Sequence, residues 1–288
     1  MFLSIRHTTA YSYDHPVILE SQTIRFTPRA DAYRRLIESV LTIIPEPDGI
    51  NVNLDYIGSL SHLVWFKRQT SALKVVSRVV LELNELNPFD FIIRPSHCVQ
   101  LPMQYPAHMV NQLTPFLLNQ PAHEKVNDFA VSLMKESNNN VLEFASLLCR
   151  KIREECTYET RAHGEPHLPQ KILSSRRGSC RDFAVLYVEA ARVAGLAARF
   201  VSGYYFDQSP KHPELHAWAE VYIPGGGWRG YDPTLGLACY GHHIVLAAGA
   251  WASETAAIEG TFLGKSESHM EVHIEYEYLK QLSRPVEF

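Results

Sequence analysis

Alternation of polar and apolar positions predicts β-strands in the first third of the chain. Candidate strands cover residues 1–13, 36–44, 60–70 and 72–83, which are rich in β-branched and aromatic residues. Prolines at positions 95, 102, 106, 115 and 121 follow and predict an irregular connector. We therefore expect residues 1–115 to form a β-rich amino-terminal domain.

The pattern changes near residue 121. Apolar residues recur at helical spacing over 122–135 and 141–155, and the asparagines at 138–140 separate these two predicted helices. The largely apolar run 183–196 predicts a buried helix. Strands are expected at 198–206, at 216–223 and 228–233, which form a hairpin around a glycine-rich turn, and at 270–278. Residues 116–288 are therefore expected to form a second domain, of α+β type.

Composition narrows the range of partners. The chain has 288 residues, of which 46% are hydrophobic and 20% charged, and a formal net charge of −4, which gives no electrostatic basis for binding nucleic acid. Two stretches without acidic or basic residues, 95–123 and 233–253, are interrupted by prolines or polar residues, so we expect no membrane span. The first residues lack the apolar core of a secretory signal, and we expect a cytoplasmic protein.

The cysteine count favours free thiols over disulfides. There are five cysteines and no CxxC pair, as expected in a reducing compartment. A zinc site built from Cys156, His163 and His167 is an alternative, but this spacing matches no strong zinc signature. Buried apolar thiols explain Cys149 and Cys156 equally well, so we expect neither a metal nor another cofactor.

Cys180 lies directly before the apolar run 183–196, in the string Gly-Ser-Cys-Arg-Asp. Ser179 and Asp182 fit a capping box, with Ser179 as the N-cap and Asp182 three residues later. Cys180 is then the first helical residue, where the helix dipole and unpaired backbone N–H groups favour the thiolate. A buried core thiol is the usual role of a lone cysteine, but this position favours a nucleophile.

The predicted hairpin supplies a histidine and an aspartate. If its loop has three residues, Ile223 pairs with Gly227, and His216 and Asp232 become diagonal neighbours on one face of the sheet. A loop of four residues would place them on opposite faces. In the first register, His216 can act as a base toward Cys180 while Asp232 orients its imidazole.

Other side chains compete for roles near this site. His212, His242 and His243 are alternative bases, although His216 is favoured because a strand holds it beside Asp232. Trp218 faces the same side as His216 and is a candidate for contacting substrate, with core packing as the alternative. Tyr158 is a weaker candidate for contacting substrate, as a second hydrogen-bond donor to the oxyanion, and ordinary packing is the favoured alternative.

Two strings, GSCRDFAVLYVEAARVAGLAARFVSGY and HAWAEVYIPGGGWRGYDPT, resemble the core of the bacterial transglutaminase-like superfamily. HTTAYSYDHPV near the amino terminus and the tail GHHIVLAAGAWASETAAIEGTFLG resemble its two-domain members. The resemblance implies a papain-like core, in which the nucleophile helix packs on an antiparallel sheet. It also implies that Cys180 is the nucleophile, His216 the base and Asp232 the orienting acid.

The resemblance further implies thiol-dependent hydrolysis of peptide or isopeptide bonds in a peptide or protein substrate. A transamidase is an alternative, because the same three residues serve when an amine resolves the thioester. A non-catalytic peptide-binding module is another. The chain departs from the family pattern at Val185, at Leu235, at Ser59 and at Ala250–Trp251. These changes leave Cys180, His216 and Asp232 in place but alter the expected polarity of the substrate pocket.

Overall fold

Strands build the amino-terminal part of the computed structural model, which describes residues 1–31, 33–84, 87–118, 123–161, 164–206 and 215–279. They are β1 (Phe2–Leu19), β2 (Gln22–Ile24), β3 (Arg34–Ile44), β4 (Gly49–Leu54), β5 (Leu60–Trp65) and β6 (Gln69–Leu83). All four predicted strands are present within this set. The sequence analysis missed β2 and β4, since such short segments carry little alternation.

The alternation predicted for the first strand corresponds to its burial. Leu3, Ile5, His7 and Thr9 are buried, whereas the residues between them are more exposed. This follows from the two-residue period of a strand, which sends successive side chains to opposite faces. β1 pairs antiparallel with β6, and β6 pairs antiparallel with β3.

The segment expected to be an irregular connector contains helices. A 3₁₀ helix covers Ser96–Val99, and α1 covers Ala107–Leu117. Pro106 precedes the first turn of α1 and Pro115 lies in its last turn, where a missing N–H removes only one hydrogen bond. The helix buries Leu113 and Phe116, and this packing compensates for the unfavourable proline.

Two further helices confirm the predictions made from the helical spacing of apolar residues. They are α2 (Glu124–Glu136) and α3 (Val141–Glu155). Asn138 and Asn139 adopt left-handed backbone angles, with φ of 51° and 55°, which asparagine tolerates better than most residues. Asn140 then caps α3 by accepting hydrogen bonds from the backbone N–H groups of Leu142 and Glu143.

A second antiparallel sheet follows these helices. The elements are β7 (Thr157–Tyr158), α4 (Pro169–Ser175), β8 (Arg177–Gly178), α5 (Cys180–Val193), β9 (Ala198–Tyr205), β10 (Leu215–Ile223), β11 (Gly227–Asp232), β12 (Leu237–Ala238) and β13 (His243–Gly249). The strand order in the sheet is β12-β11-β10-β9-β13. The short β7 and β8 form a separate parallel pair.

The helix that begins at Cys180 packs on this sheet. Phe183, Leu186 and Tyr187 of α5 share one buried core with Ala219 and Val221 of β10. The fold is therefore α+β, with a helix carrying the predicted nucleophile against an antiparallel sheet, as expected. Among the described residues, no helix combines the length and the apolar character needed to span a membrane.

The last strand of the described chain returns to the amino-terminal sheet. A 3₁₀ helix (Ala252–Thr255), β14 (Ile258–Glu259) and β15 (Phe262–Leu263) precede β16 (Ser268–Leu279). β16 pairs antiparallel with β1 over its whole length, from Phe2↔Leu279 to Tyr13↔Ser268. The division into domains at residue 115 stays a prediction, and β16 belongs to the sheet formed by β1, β3 and β6.

Candidate active site

The start of α5 exposes Cys180 at the first turn. Ser179 is the N-cap residue, and the carboxylate of Asp182 accepts hydrogen bonds from the Ser179 backbone N–H (2.7 Å) and hydroxyl (2.8 Å). Cys180 itself is only partly buried. The capping interaction leaves the thiol at the positive end of the helix, where its ionised form is favoured.

Asp182 also ties the preceding loop to α5. Its Oδ1 accepts hydrogen bonds from Nη2 of Arg161 (2.7 Å) and from the backbone N–H of His167 (2.6 Å). Burial would raise the pKa of Asp182, but the hydrogen bonds from Ser179 and His167 and the charge of Arg161 outweigh it and lower the pKa. These contacts join the loop before α4 to the start of α5.

The hairpin has the register required to bring His216 and Asp232 together. Ile223 pairs with Gly227, so the loop has three residues, and the four-residue alternative is wrong. Gly227, which follows the loop, has a φ of 72°, a conformation that glycine adopts easily. Nε2 of His216 lies 2.7 Å from Oδ2 of Asp232.

Asp232 is fully buried, and each of its oxygens accepts two hydrogen bonds. Oδ1 accepts from the backbone N–H groups of Thr234 (2.9 Å) and Leu235 (3.3 Å). Oδ2 accepts from Nε2 of His216 and from Nε2 of His243, which is 3.0 Å away. Although burial opposes ionisation, these two histidines lower the pKa of Asp232. The carboxylate is therefore an ionised, fixed acceptor.

His243 is the residue whose place the sequence analysis missed. The sequence analysis considered it only as an alternative base toward Cys180. Its buried ring instead faces Asp232, and its Nδ1 accepts a hydrogen bond from the backbone N–H of Tyr240 (3.4 Å). That contact fixes the neutral tautomer with the proton on Nε2. Burial lowers the pKa of His243 in spite of Asp232. No local sequence signal indicates this role, because it depends on β13 lying beside β9 in the sheet.

Cys180 and His216 form a hydrogen-bonded pair. Since Nε2 of His216 faces Asp232, its Nδ1 is left for the sulfur, which also accepts the backbone N–H of Ala217. Burial opposes the thiolate, but the hydrogen bond and charge of His216, the Ala217 N–H and the charge of Arg181 lower the pKa of Cys180. Burial likewise opposes the imidazolium, but Asp232 and Cys180 raise the pKa of His216 to about 10. The geometry favours a thiolate–imidazolium pair.

The other four cysteines differ from Cys180 in both burial and ionisation. All four are buried and unpaired: Cys98, Cys149, Cys156 and Cys239. Burial raises the pKa of each of these thiols. Among the five thiols, Cys180 is the one whose surroundings favour the thiolate.

Two family models match the chain over the regions that carry this architecture. Residues 127–233, which contain Cys180, His216 and Asp232, match the transglutaminase-like superfamily. Residues 3–82 match the bacterial transglutaminase-like N-terminal region. The chain belongs to the transglutaminase-like superfamily. The resemblance inferred from the sequence is thereby confirmed.

Similar proteins span most or all of this transglutaminase-like chain. An uncharacterised protein of Mycobacterium leprae is 24% identical over 284 residues, covering 95% of this chain and 97% of the relative. One from Mycobacterium tuberculosis is 24% identical over 279 residues, covering 92% and 88%. The crystal structure of a candidate cysteine protease from Cytophaga hutchinsonii superposes with a TM-score of 0.73 at 20% identity, covering all of this chain and 94% of that one. It shares the fold.

The two predicted substrate contacts occupy different surroundings in the transglutaminase-like core. Trp218 is 1% exposed, and its ring packs edge-on against His243 with centroids 5.2 Å apart, so it supports the site from within the core. Tyr158 is 40% exposed on β7 and pairs with Gly178 of β8. Gly178 lies two residues before Cys180 in the chain. Contact of either side chain with substrate stays a prediction.

The remaining histidines and the zinc alternative can be placed in part. His242 contacts the hydroxyl of Tyr278 (3.2 Å), whereas His212 and His163 lie outside the described residues. Nδ1 of His167 lies 3.8 Å from Oδ2 of Asp182. Among the described residues, neither Cys156 nor His167 joins a cluster of three side chains able to hold a metal ion.

Family membership and the site geometry together indicate thiol-dependent catalysis at a general level. A sulfur with a lowered pKa, an imidazole and a buried carboxylate form one hydrogen-bonded series. Such a series generates a nucleophile and stores the proton that a leaving group needs.

Proposed function

We propose that this protein hydrolyses amide bonds, in peptide or isopeptide linkage, through a thioester on Cys180. The observation that carries the proposal is the continuous contact from the sulfur of Cys180 through His216 to Asp232. The proposed substrates are peptides or proteins.

The first half-reaction forms the thioester. The thiolate of Cys180 attacks the amide carbon, and the proposed donor to the developing oxyanion is the backbone N–H of Cys180 at the start of α5. His216 then gives its proton to the departing amine, whose C–N bond breaks. Asp232 keeps the imidazole oriented and stabilises its charge before the transfer.

The second half-reaction releases the acid. Neutral His216 takes a proton from water, the resulting hydroxide attacks the thioester carbon, and the C–S bond breaks to regenerate the thiolate. Water is the proposed acceptor. If an amine resolved the thioester instead, the same residues would catalyse transamidation, and the products of the reaction distinguish the two.

The proposal is tested with a peptide-amide library and mass spectrometry of the products. Cys180→Ala should abolish hydrolysis because it removes the attacking atom, and the melting temperature should stay within a few degrees of the wild type. Cys156→Ala, a change at a buried thiol outside the site, is the matched control and should retain activity. Hydrolysis that survives Cys180→Ala would contradict the proposal. A product that incorporates an added amine in preference to water would reassign the reaction.

The free state of all five cysteines supports a reducing compartment, and we propose the cytoplasm. Cell fractionation with an antibody against the protein tests this assignment.

A further inference from the structure

A cavity of about 460 Å³ lies beside α5, between the loop that precedes α4 and the 3₁₀ helix Ala252–Thr255. Its apolar lining comes from four different elements or loops: Val126 of α2, Val185 and Val188 of α5, Phe200 of β9 and Trp251. This volume is in the range of sites that hold small ligands or substrate side chains.

The cavity shares three lining residues with the group of side chains packed around Cys180. Cys180, Val185 and Ala252 each pack against a buried cluster that contains Phe200. Val185, Ala252 and Phe200 also line the cavity. Val185 is five residues after Cys180, a rise of about 7.5 Å along a helix. An extended peptide advances about 3.3 Å per residue, so a residue two or three positions from the attacked carbonyl can reach this cavity.

Among the described residues that line the cavity, Glu165 and Glu189 carry carboxylates and His123 and His167 carry imidazoles. The lining residues within the described part of the chain include no lysine or arginine. Glu165 is exposed. Glu189 is held 3.2 Å from Arg192, and burial raises its pKa in spite of that arginine. An acidic side chain entering the cavity would lose water and would meet these two carboxylates but no lysine or arginine among the described lining residues.

We propose that this cavity binds a large apolar side chain of the substrate, of the size of leucine, methionine or phenylalanine, and rejects acidic side chains. The proposal rests on the proposed amide hydrolysis, since it assigns the specificity of the same site. Val185 and Trp251, two positions where the sequence departs from the family pattern, form part of the apolar wall.

The test uses peptide amides that differ only at the residue two or three positions from the cleaved bond. We expect kcat/KM for leucine or phenylalanine to exceed that for glycine by about 10-fold or more, which is the range for filling an apolar pocket. Aspartate at that position should be the poorest substrate. The rate of alkylation of Cys180 by iodoacetamide is measured in parallel and does not depend on any peptide.

Two exposed positions allow the cavity to be changed with little risk to folding. Ser253→Phe should fill the cavity and remove the preference for large side chains, whereas Ser71→Phe, at an exposed position outside the cavity, should leave the preference intact. Glu165→Lys should raise kcat/KM for the aspartate peptide several-fold. Glu154→Lys, on the exposed surface of α3, should not.

The outcomes separate the two proposals. Cleavage that depends on Cys180 but shows no preference for large apolar residues, or a preference unaffected by Ser253→Phe, would overturn the assignment of the cavity and leave amide hydrolysis standing. Absence of cleavage in every peptide, with Cys180 still alkylated rapidly, would overturn the proposed hydrolysis and the assignment with it.

Discussion

At the scale of single residues, Asp232 binds two imidazoles whose pKa values move in opposite directions. Burial disfavours the charged form of both rings. Asp232 and Cys180 overcome this for His216 and raise its pKa to about 10. For His243 burial prevails, and its pKa is lowered. One carboxylate thus supports a cation on the side of the thiol and a neutral donor on the other side, and His243 is a positioning residue.

His243→Leu should lower kcat by about 10-fold or more with little change in KM, because the charged carboxylate of Asp232 would lose the hydrogen bond that His243 donates to it. His243→Gln offers an amide N–H in place of Nε2–H and should recover part of the loss. Steady-state kinetics on the best peptide substrate provides the measurement. His242→Leu, a change at the neighbouring histidine outside this network, is the control. Equal effects of all three variants would exclude a positioning role.

Alkylation should show the lowered pKa of Cys180 directly. The thiolate forms at lower pH when the pKa falls, so iodoacetamide should modify Cys180 at pH values at which the four buried thiols do not react. Peptide mass spectrometry after reaction between pH 5 and pH 9 gives one profile for each cysteine. A common midpoint for Cys180 and the other thiols would refute the ion pair.

At the scale of elements, the features predicted correctly depend on short stretches of sequence. The start of α5 follows from Ser179 and Asp182, three residues apart, and the position of His216 relative to Asp232 follows from a three-residue loop. The cap can be inferred because its chemistry is decided within a few residues, whereas the sequence left loops of three and four residues open for the hairpin.

The features that were missed depend on contacts between distant segments. α1 forms because Leu113 and Phe116 become buried, which outweighs the breaking signal of Pro115. His243 reaches Asp232 because β13 pairs with β9. Such contacts leave no periodic signal in the sequence, and the cavity beside α5, whose lining comes from separate elements, leaves none either.

Asp182→Ala should destabilise the protein by about 3 kcal/mol, since it removes a buried carboxylate and leaves Arg161 and several N–H groups without their acceptor. The pKa of Asp182 is lowered on folding, so its contribution is present above the unfolded value near pH ~4 and is lost as pH falls through the folded value. Urea unfolding should therefore show a difference from the wild type that narrows in acid. Asp128→Asn, on the exposed face of α2, is the control. An equal loss in both variants would contradict this role.

At the scale of the whole molecule, one core joins the amino-terminal sheet to the sheet that carries the active site. Leu3 and Ile5 of β1 pack with Tyr204 of β9 and Ile244 of β13. His7 adds a polar contact, because its Nδ1 lies 2.8 Å from the hydroxyl of Tyr204. β9 pairs with β10, which carries His216, and β13 carries His243, so the amino-terminal sheet packs against strands next to the site.

Burial of His7 should make stability depend on pH. Burial lowers its pKa from 6.5 to about 3, so the unfolded chain binds a proton more readily, and stability falls as pH drops below 6.5. Between pH 7 and pH 5 this contribution is about 2 kcal/mol. His7→Gln should reduce the pH dependence measured by urea unfolding by that amount. His15→Gln, exposed on the same strand, should not, and an unchanged pH dependence in His7→Gln would contradict the assignment.

The lowered pKa of the Cys180 sulfur also predicts how this protein is inactivated under oxidative stress. Hydrogen peroxide reacts with thiolates, so Cys180 is the first of the five thiols to become a sulfenic acid. The other four cysteines are buried, so none is exposed to trap that product as an internal disulfide. Glutathione or another small thiol must therefore rescue the enzyme before further oxidation to the sulfinic acid makes the loss permanent.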